Sequence, residues 1–322
     1  MKSYQVVRTH TSPYQHPDFI KMEKTRLERL ANISYRSLNE LESNEKIILL
    51  TNTHTRLREL PPALLKATEL IIHPNSGYDH FAQDHSLWQD IPVIVGHEIR
   101  AQAVAEYSLG CLFEGMLELP QHLMWNRERT WNRQLLKNQV IHVFGYGHIG
   151  KIVADTLKTL GMDVRVIDPY IKDCPHPRSD HWREAQINGT RAIIVCMSLN
   201  PTTRKIFNHD FFSSLGKEVI FINGARGGLV DEVALKEYML KHPESFAFLD
   251  VFENEPFSEN WHSFPQVWKT SHIAGVHRHL DQGILEFEEK VLIDFLNMNE
   301  NNFEKKYHQE LLQNKWIQGE LI

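Results

Sequence analysis

The chain has little of what would place it outside ordinary soluble folds. Only three cysteines, Cys111, Cys174 and Cys196, occur in 322 residues. They are far apart and odd in number, which argues against a disulfide framework or a zinc cluster and fits reduced thiols in the cytoplasm. No window approaches the ~18 consecutive apolar residues of a membrane span, and Met1-Lys2-Ser3-Tyr4-Gln5 lacks the apolar core of a secretion signal. Asn188-Gly189-Thr190 is therefore read as an accidental sequon. A formal net charge of −6 and the lack of any lysine or arginine block argue against a nucleic-acid binder. Nineteen histidines invite a metal reading, but no HxxxH pair stands with a nearby carboxylate on one helix, so no metal site is expected.

What is present is a soluble α/β pattern. Apolar residues make up 42% of the chain and charged residues 24%, enough for cores in two domains of ordinary size. In the first hundred residues the pattern predicts strands over Tyr4–Arg8, Ile33–Leu38, Lys46–Leu50 and Glu69–His73. Helices are predicted over Asp18–Leu30 and Arg56–Lys66, the second interrupted by Pro61-Pro62. A long helix is predicted from Ala101 to Met124, after which the alternation restarts. Strands fall at Gln139–Phe144, Asp163–Ile167, Arg191–Met197, Glu218–Ile222, Ser245–Leu249 and Val267–Thr270. Helices fall at His148–Leu160, His209–Leu215 and Asp231–Lys241. A last amphipathic helix over Asp281–Met298 precedes a polar tail. Short, fully apolar strands alternating with helices imply parallel sheets covered on both faces. Two such units suggest two domains with a cleft between them: residues 1–100 plus 279–322, and residues 101–278.

Gly145-Tyr146-Gly147-His148-Ile149-Gly150 is a GxGxxG, weak alone but strong in its place. It follows an apolar strand and opens a helix ending at Gly161, and the next strand ends at Asp168. The glycines permit a tight turn, close approach of a pyrophosphate and close helix–strand packing. The helix N-terminus offers N–H groups and a favourable dipole to the phosphates. Asp168, followed by Pro169, is either a loop carboxylate or the acceptor for both adenosine ribose hydroxyls. The second role repels a 2′-phosphate and favours NAD over NADP, with Lys172 and Arg165 near enough in sequence to allow some NADP.

A second polar set lies downstream. The strand ending at Ile222 runs into Asn223-Gly224-Ala225-Arg226-Gly227-Gly228, whose arginine sits on a glycine-flanked turn suited to gripping a carboxylate. Asp231 is placed to cap the following helix. Glu255, in Asp250-Val251-Phe252-Glu253-Asn254-Glu255-Pro256, and His272, in Ser271-His272-Ile273-Ala274-Gly275, supply a carboxylate and a proton carrier. A carboxylate beside a histidine favours the imidazolium and fixes its orientation. Arg226 could instead be a surface ion-pair member and Glu255 a solvated loop residue. His54, His80, His97 and His277 are read as structural.

In their order, these motifs resemble the D-isomer-specific 2-hydroxyacid dehydrogenase family, closely from about Gln139 to Gly275. The resemblance rests on the GxGxxG, Asn-x-x-Arg-Gly-x-Leu-Val-Asp-Glu, Asp-Val-x-x-x-Glu-Pro and His-x-Ala-Gly runs. It thins in the first domain to Ser76-Gly77-Tyr78-Asp79-His80 and Val104-Ala105-Glu106. It implies a flavodoxin-like substrate domain and a Rossmann doubly wound dinucleotide domain. It further implies that Arg226 holds the substrate carboxylate, that His272 gives a proton to the developing alkoxide, and that Glu255 pairs with His272. The implied cofactor set is Gly145, Tyr146, Gly147, His148, Ile149, Gly150, Asp168, Pro169, Cys196, Met197, Ala225, Asp250, His272 and Gly275. The implied substrate set is Asn75, Ser76, Gly77, Arg226 and His272.

The chain departs from the family at Gly96-His97-Glu98, at Cys196-Met197-Ser198-Leu199, at Ser271 and at His277, so no subfamily's substrate transfers. The expectation is a cytoplasmic, homodimeric, NAD-dependent reductase of small 2-keto acids. The alternatives are an NAD(H)-sensing interaction protein and a dehydrogenase of another small anion, such as formate or phosphite.

Overall fold

The computed structural model describes residues 3–41, 45–117, 124–128, 134–257, 259–317 and 319–322. Two compact units divide the chain, Met1–Arg100 with Val276–Ile322, and Ala101–Gly275. The first begins with β1 (Tyr4–Arg8), α1 (Phe19–Leu27), β2 (Ile33–Arg36), β3 (Lys46–Leu50), α2 (Pro62–Ala67), β4 (Thr68–His73), α3 (His85–Trp88) and β5 (Val93–Val95). Its strands pair in parallel in the order β2-β1-β3-β4-β5, the flavodoxin-like doubly wound order. Val6, Ile48, Leu50, Leu70, Ile72 and Ile94 enter one core layer, and Val7, Ile47, Leu49, Ile71, Val93 and Val95 the other. Burial on both faces is why these strands read as continuous apolar runs.

The second unit holds most of α4 (His97–Leu117), then β6 (Val140–Phe144), α5 (His148–Thr159), β7 (Asp163–Ile167), β8 (Arg178–Ser179), β9 (Ala192–Val195), α6 (His209–Ser213), β10 (Ile220–Asn223), α7 (Glu232–Lys241), β11 (Phe246–Leu249) and β12 (Val267–Lys269). All seven strands are parallel, in the order β8-β7-β6-β9-β10-β11-β12. This is the Rossmann order with an added edge strand, and it reverses direction between β6 and β9. Helices α4 and α5 cover one face through Leu112, Met116, Val153 and Leu157. Helices α6 and α7 cover the other through Phe211, Phe212, Leu235 and Met239.

The chain then returns to the first unit as α8 (Leu280–Asn297), α9 (Glu300–Lys306) and the antiparallel pair β13 (Trp316–Ile317) and β14 (Glu320–Leu321). Here the structure corrects the expected polar tail. Phe303, Tyr307, Leu311, Leu312 and Leu321 are buried, and Val95 N–H donates to the Glu310 carbonyl at 2.9 Å. That contact covers the free edge of β5, which would otherwise expose unpaired backbone. The apolar residues are too sparsely spaced to announce this packing.

Several boundaries also differ from expectation. The helix predicted over 56–66 is a 3-10 turn at Leu57–Glu59 and then α2, because Pro61 and Pro62 leave only a new helix start. Helix α4 begins at His97 instead of Ala101; of its predicted continuation, residues 118–123 lie outside the described residues. Strands β5 and β8 are too short to have been read from the sequence.

A buried ion cluster ties the returning helix to β1. Arg8, at the end of β1, donates through Nε to Glu23 at 2.8 Å and pairs through Nη2 with Glu288 of α8, while the Tyr35 hydroxyl donates to Glu23. Burial pushes the Glu288 carboxyl well above its ordinary range despite Arg8. Among the described residues, no helix is long and apolar enough to cross a membrane.

His142 is buried on β6, with Nδ1 2.9 Å from Thr190 Oγ1. Burial, helped by the Arg165 charge, pulls its imidazole down to about 4. The neutral ring therefore contributes stability above pH 6.5 that is lost as pH falls from there through about 4, on the order of 3 kcal/mol in full. Urea unfolding at pH 7 and pH 4.5 should show a smaller acid loss in His142→Leu than in the wild type. Equal losses would show that this histidine is not the acid-sensitive group.

Candidate functional site

Because all seven strands of the second unit run in parallel, the loops leaving β6, β7, β9, β10, β11 and β12 emerge at one edge of its sheet. The strand order switches direction between β6 and β9, and in such sheets the switch point is the usual ligand position.

The three glycines after β6 have separate physical reasons. Gly145 has φ +92°, and a Cβ there would lie 2.7 Å from the Cys196 carbonyl oxygen. A Cβ on Gly150 would lie 1.9 Å from the Gly145 oxygen, so α5 could not seat against the turn. A Cβ on Gly147 would meet nothing within 4 Å. That open surface lies at the N-terminus of α5, which has no side-chain cap. A backbone bare of side chains at a helix start is what a pyrophosphate needs, so these residues fit the dinucleotide. Tyr146 is buried, Gly147 is exposed, and His148 and Ile149 are half-buried.

Asp168 follows β7 directly, with its Oδ2 accepting the Tyr146 N–H and its Oδ1 the Tyr170 N–H, both at 2.8 Å. Each oxygen keeps acceptor capacity for a ribose hydroxyl. Pro169 beside it is exposed. Arg165 forms an ion pair with Asp163 at 2.8 Å. Arg178, which the sequence reading passed over, donates to the Asp168 carbonyl at 2.6 Å. Across the switch point Cys196 and Met197 pack their backbone on Gly145. Burial pushes the Cys196 thiol up to about 12, so it acts as a small neutral packing group.

The arginine turn is fastened by Asn223, whose side chain accepts from Ala225 N–H at 3.1 Å and donates to the Arg226 carbonyl at 3.0 Å. Arg226 is half-buried and donates through Nη1 to the Ala225 carbonyl at 2.8 Å. A Cβ on Gly227 would stand 1.9 Å from the Phe252 carbonyl carbon, and one on Gly224 3.6 Å from the Ala274 Cβ. The turn carrying Arg226 is thus packed against both the loop after β11 and the loop after β12.

Those two loops meet at the histidine. Glu255 Oε2 lies 2.9 Å from His272 Nδ1, and Glu255 Oε1 accepts the Phe252 N–H at 3.2 Å. His272 has φ +56°, a left-handed conformation costly for a side chain of its size. Asp250, 1% exposed, holds that turn. Its carbonyl accepts from His272 N–H at 2.9 Å, Oδ1 from Ile273 N–H at 2.8 Å, and Oδ2 from Ala274 N–H at 2.8 Å. Thr270 donates to Asp250 at 2.6 Å and lies 2.8 Å from the Tyr107 hydroxyl. Sequence reading missed Thr270 and Tyr107; only the position of Thr270, two residues before His272, could have flagged it. Gly275 ends the second unit.

The structure therefore brings Arg226, Glu255, His272, Asp250 and Ala225 onto three mutually packed turns of one unit. Asn75, Ser76 and Gly77 belong to the other unit, on the loop leaving β4, where the Gly77 carbonyl lies 3.1 Å from His73 Nε2. Among the described residues no group of three or more His, Cys, Asp or Glu could hold a metal ion.

Residues 112–274 match the D-isomer specific 2-hydroxyacid dehydrogenase NAD-binding domain. The chain belongs to this family. D-3-phosphoglycerate dehydrogenase of Methanocaldococcus jannaschii is 26% identical over 262 residues, 76% of this chain and 49% of that protein. The chain spans about half the length of this relative and of the similar Bacillus subtilis protein. Two solved structures share the fold. D-lactate dehydrogenase from Aquifex aeolicus, complexed with NAD and lactic acid, has a TM-score of 0.73 at 19% identity, covering 96% of this chain and 99% of that one. An NADPH-dependent glyoxylate/hydroxypyruvate reductase from Sinorhizobium meliloti, with NADP and malonate, has a TM-score of 0.70 at 22% identity, covering 93% and 95%.

Gly227→Ala should cost about 3 kcal/mol or more, because the clash is with backbone that cannot rotate away. Chemical denaturation measures it; a loss under roughly 0.5 kcal/mol, the level of an ordinary surface change, would show that the two turns are not packed as described.

Proposed function

We propose that the protein transfers a hydride between NADH and the C2 carbon of a small 2-keto acid, giving a D-2-hydroxy acid, reversibly. The observation that carries this reading is the 2.9 Å Glu255–His272 contact on turns packed against the one bearing Arg226. The Arg226 guanidinium pairs with the substrate carboxylate and polarises the C2 carbonyl, for which its planar fork suits better than an ammonium. NADH, when bound, supplies the hydride that C2 receives. His272 delivers the proton to the C2 oxygen through Nε2, since Glu255 occupies the Nδ1 side and fixes the ring. Glu255, a carboxylate, supports an acid–base histidine more than it does the formate-type chemistry considered above. The family resemblance supports Ser76 and Gly77, in the other unit, as further substrate-binding residues. Asp168 supports NAD over NADP, since its carboxylate would meet a 2′-phosphate with like charge. The family resemblance supports a homodimer, which light scattering would check.

A panel of 2-keto acids with NADH, followed by absorbance, tests the reading directly. Oxidation of NADH by at least one acid is expected; dinucleotide binding without turnover across the panel would favour the sensing role instead. Arg226→Gln should lose roughly 3 kcal/mol of transition-state stabilisation, and an unchanged kcat/KM would remove the arginine from the reaction. His272→Ala should lower kcat by about 10²–10⁴-fold. Glu255→Gln should lower kcat with little change in KM, since Glu255 touches the histidine and not the substrate. A rise in KM alone would place it in binding instead.

A further inference from the structure

We propose that Tyr146, Asp155 and His176 form a positioning network that sets the orientation of Asp168 and hence the preference between NADH and NADPH. The inference rests on the dinucleotide reading above and concerns residues outside the glycine motif's usual duties.

Tyr146 is the variable residue between the first two glycines. Its N–H donates to Asp168 Oδ2 at 2.8 Å, while its side chain turns inward and is buried. The hydroxyl donates to Asp155 Oδ1 at 2.9 Å, on the helix that the glycine motif opens. The same oxygen lies 2.8 Å from His176 Nε2. A carboxylate only accepts, so His176 carries its proton on Nε2. Its Nδ1 is buried and has no hydrogen-bond partner among the described residues, which leaves Asp155 as the contact that orients the ring. The Tyr146 and His176 rings meet edge to face, with centroids 5.6 Å apart.

His176 is followed by Pro177 and Arg178, which pair with the outer side of β7. The Pro177 carbonyl accepts from Val166 N–H at 2.9 Å, and Arg178 donates to the Asp168 carbonyl at 2.6 Å. One carboxylate on α5 therefore holds both flanks of Asp168: the glycine turn through Tyr146 and the β8 segment through His176. When this hold is released, the Tyr146 N–H no longer fixes the Asp168 carboxylate. The ribose hydroxyls of NADH lose an oriented acceptor, and a 2′-phosphate meets a less fixed negative charge. Affinity for NADH falls while affinity for NADPH falls less or rises.

The test is equilibrium titration of the full chain with NADH and with NADPH, followed by nucleotide fluorescence, for wild type, Tyr146→Phe, Asp155→Ala and Asp155→Asn. In Tyr146→Phe and Asp155→Ala the ratio of the NADPH to the NADH dissociation constant should fall roughly three- to tenfold, the scale of one lost hydrogen bond. Asp155→Asn keeps an acceptor oxygen and should restore most of the ratio, which a purely structural role would not require. Tyr146→Phe keeps the ring packed, so the test survives if Asp155→Ala fails to fold. An unchanged ratio in a Tyr146→Phe protein whose parent binds NADH would overturn the network alone. A wild type that binds neither nucleotide would overturn the dinucleotide reading and the network with it.

Discussion

The second unit depends on one constraint, that its seven strands all run the same way. Parallel strands end on a common edge, so the residues that follow them collect there whatever their separation in sequence. Gly145 and Asp168 follow β6 and β7, and Cys196 follows β9. Arg226 follows β10, Asp250 and Glu255 follow β11, and His272 follows β12. The strand order reverses between β6 and β9, where the Gly145 turn packs against the Cys196 backbone.

Backbone donors hold the acidic groups on this edge. Asp168 takes two N–H groups from the turns on either side of it, and Asp250 takes two from the turn bearing His272. A buried carboxylate satisfied by backbone is expensive to move, so each fixes the turn it accepts from. Glu255 and His272, by contrast, are substantially exposed, with side-chain accessibilities of 39% and 52%. The groups assigned to chemistry are thus open to a ligand, while the buried acids hold the backbone beneath them. The left-handed His272 shows where this hold is spent, since the three bonds from Asp250 keep a conformation the residue would otherwise leave.

Where a feature was local, the chain announced it. The apolar runs of β1, β3 and β7 coincide with the strands observed, the helix after Gly147 starts at His148, and Asp231 caps α7 by accepting from Val233 and Ala234 N–H. The contact between Glu255 and His272, seventeen residues apart and 2.9 Å long, was implied by the family resemblance and not by any local pattern. Features made by several distant residues were silent. The packing of Glu310, Leu311 and Gln313 on β5, the Thr270–Tyr107 contact and the Asp155 hold on both flanks of Asp168 all join weakly patterned segments.

The sequence by itself determined the alternation of strand and helix, the glycine turn and the residue types of the Arg226, Glu255 and His272 set. These follow from periodicity and from side-chain chemistry that nearby residues fix. Only the tertiary structure decided which backbone each carboxylate accepts from, why Gly227 has no room for a side chain, and that Tyr146 looks inward to Asp155. Those outcomes depend on atoms brought within 3 Å by the packing of whole elements, and no local pattern encodes such a distance.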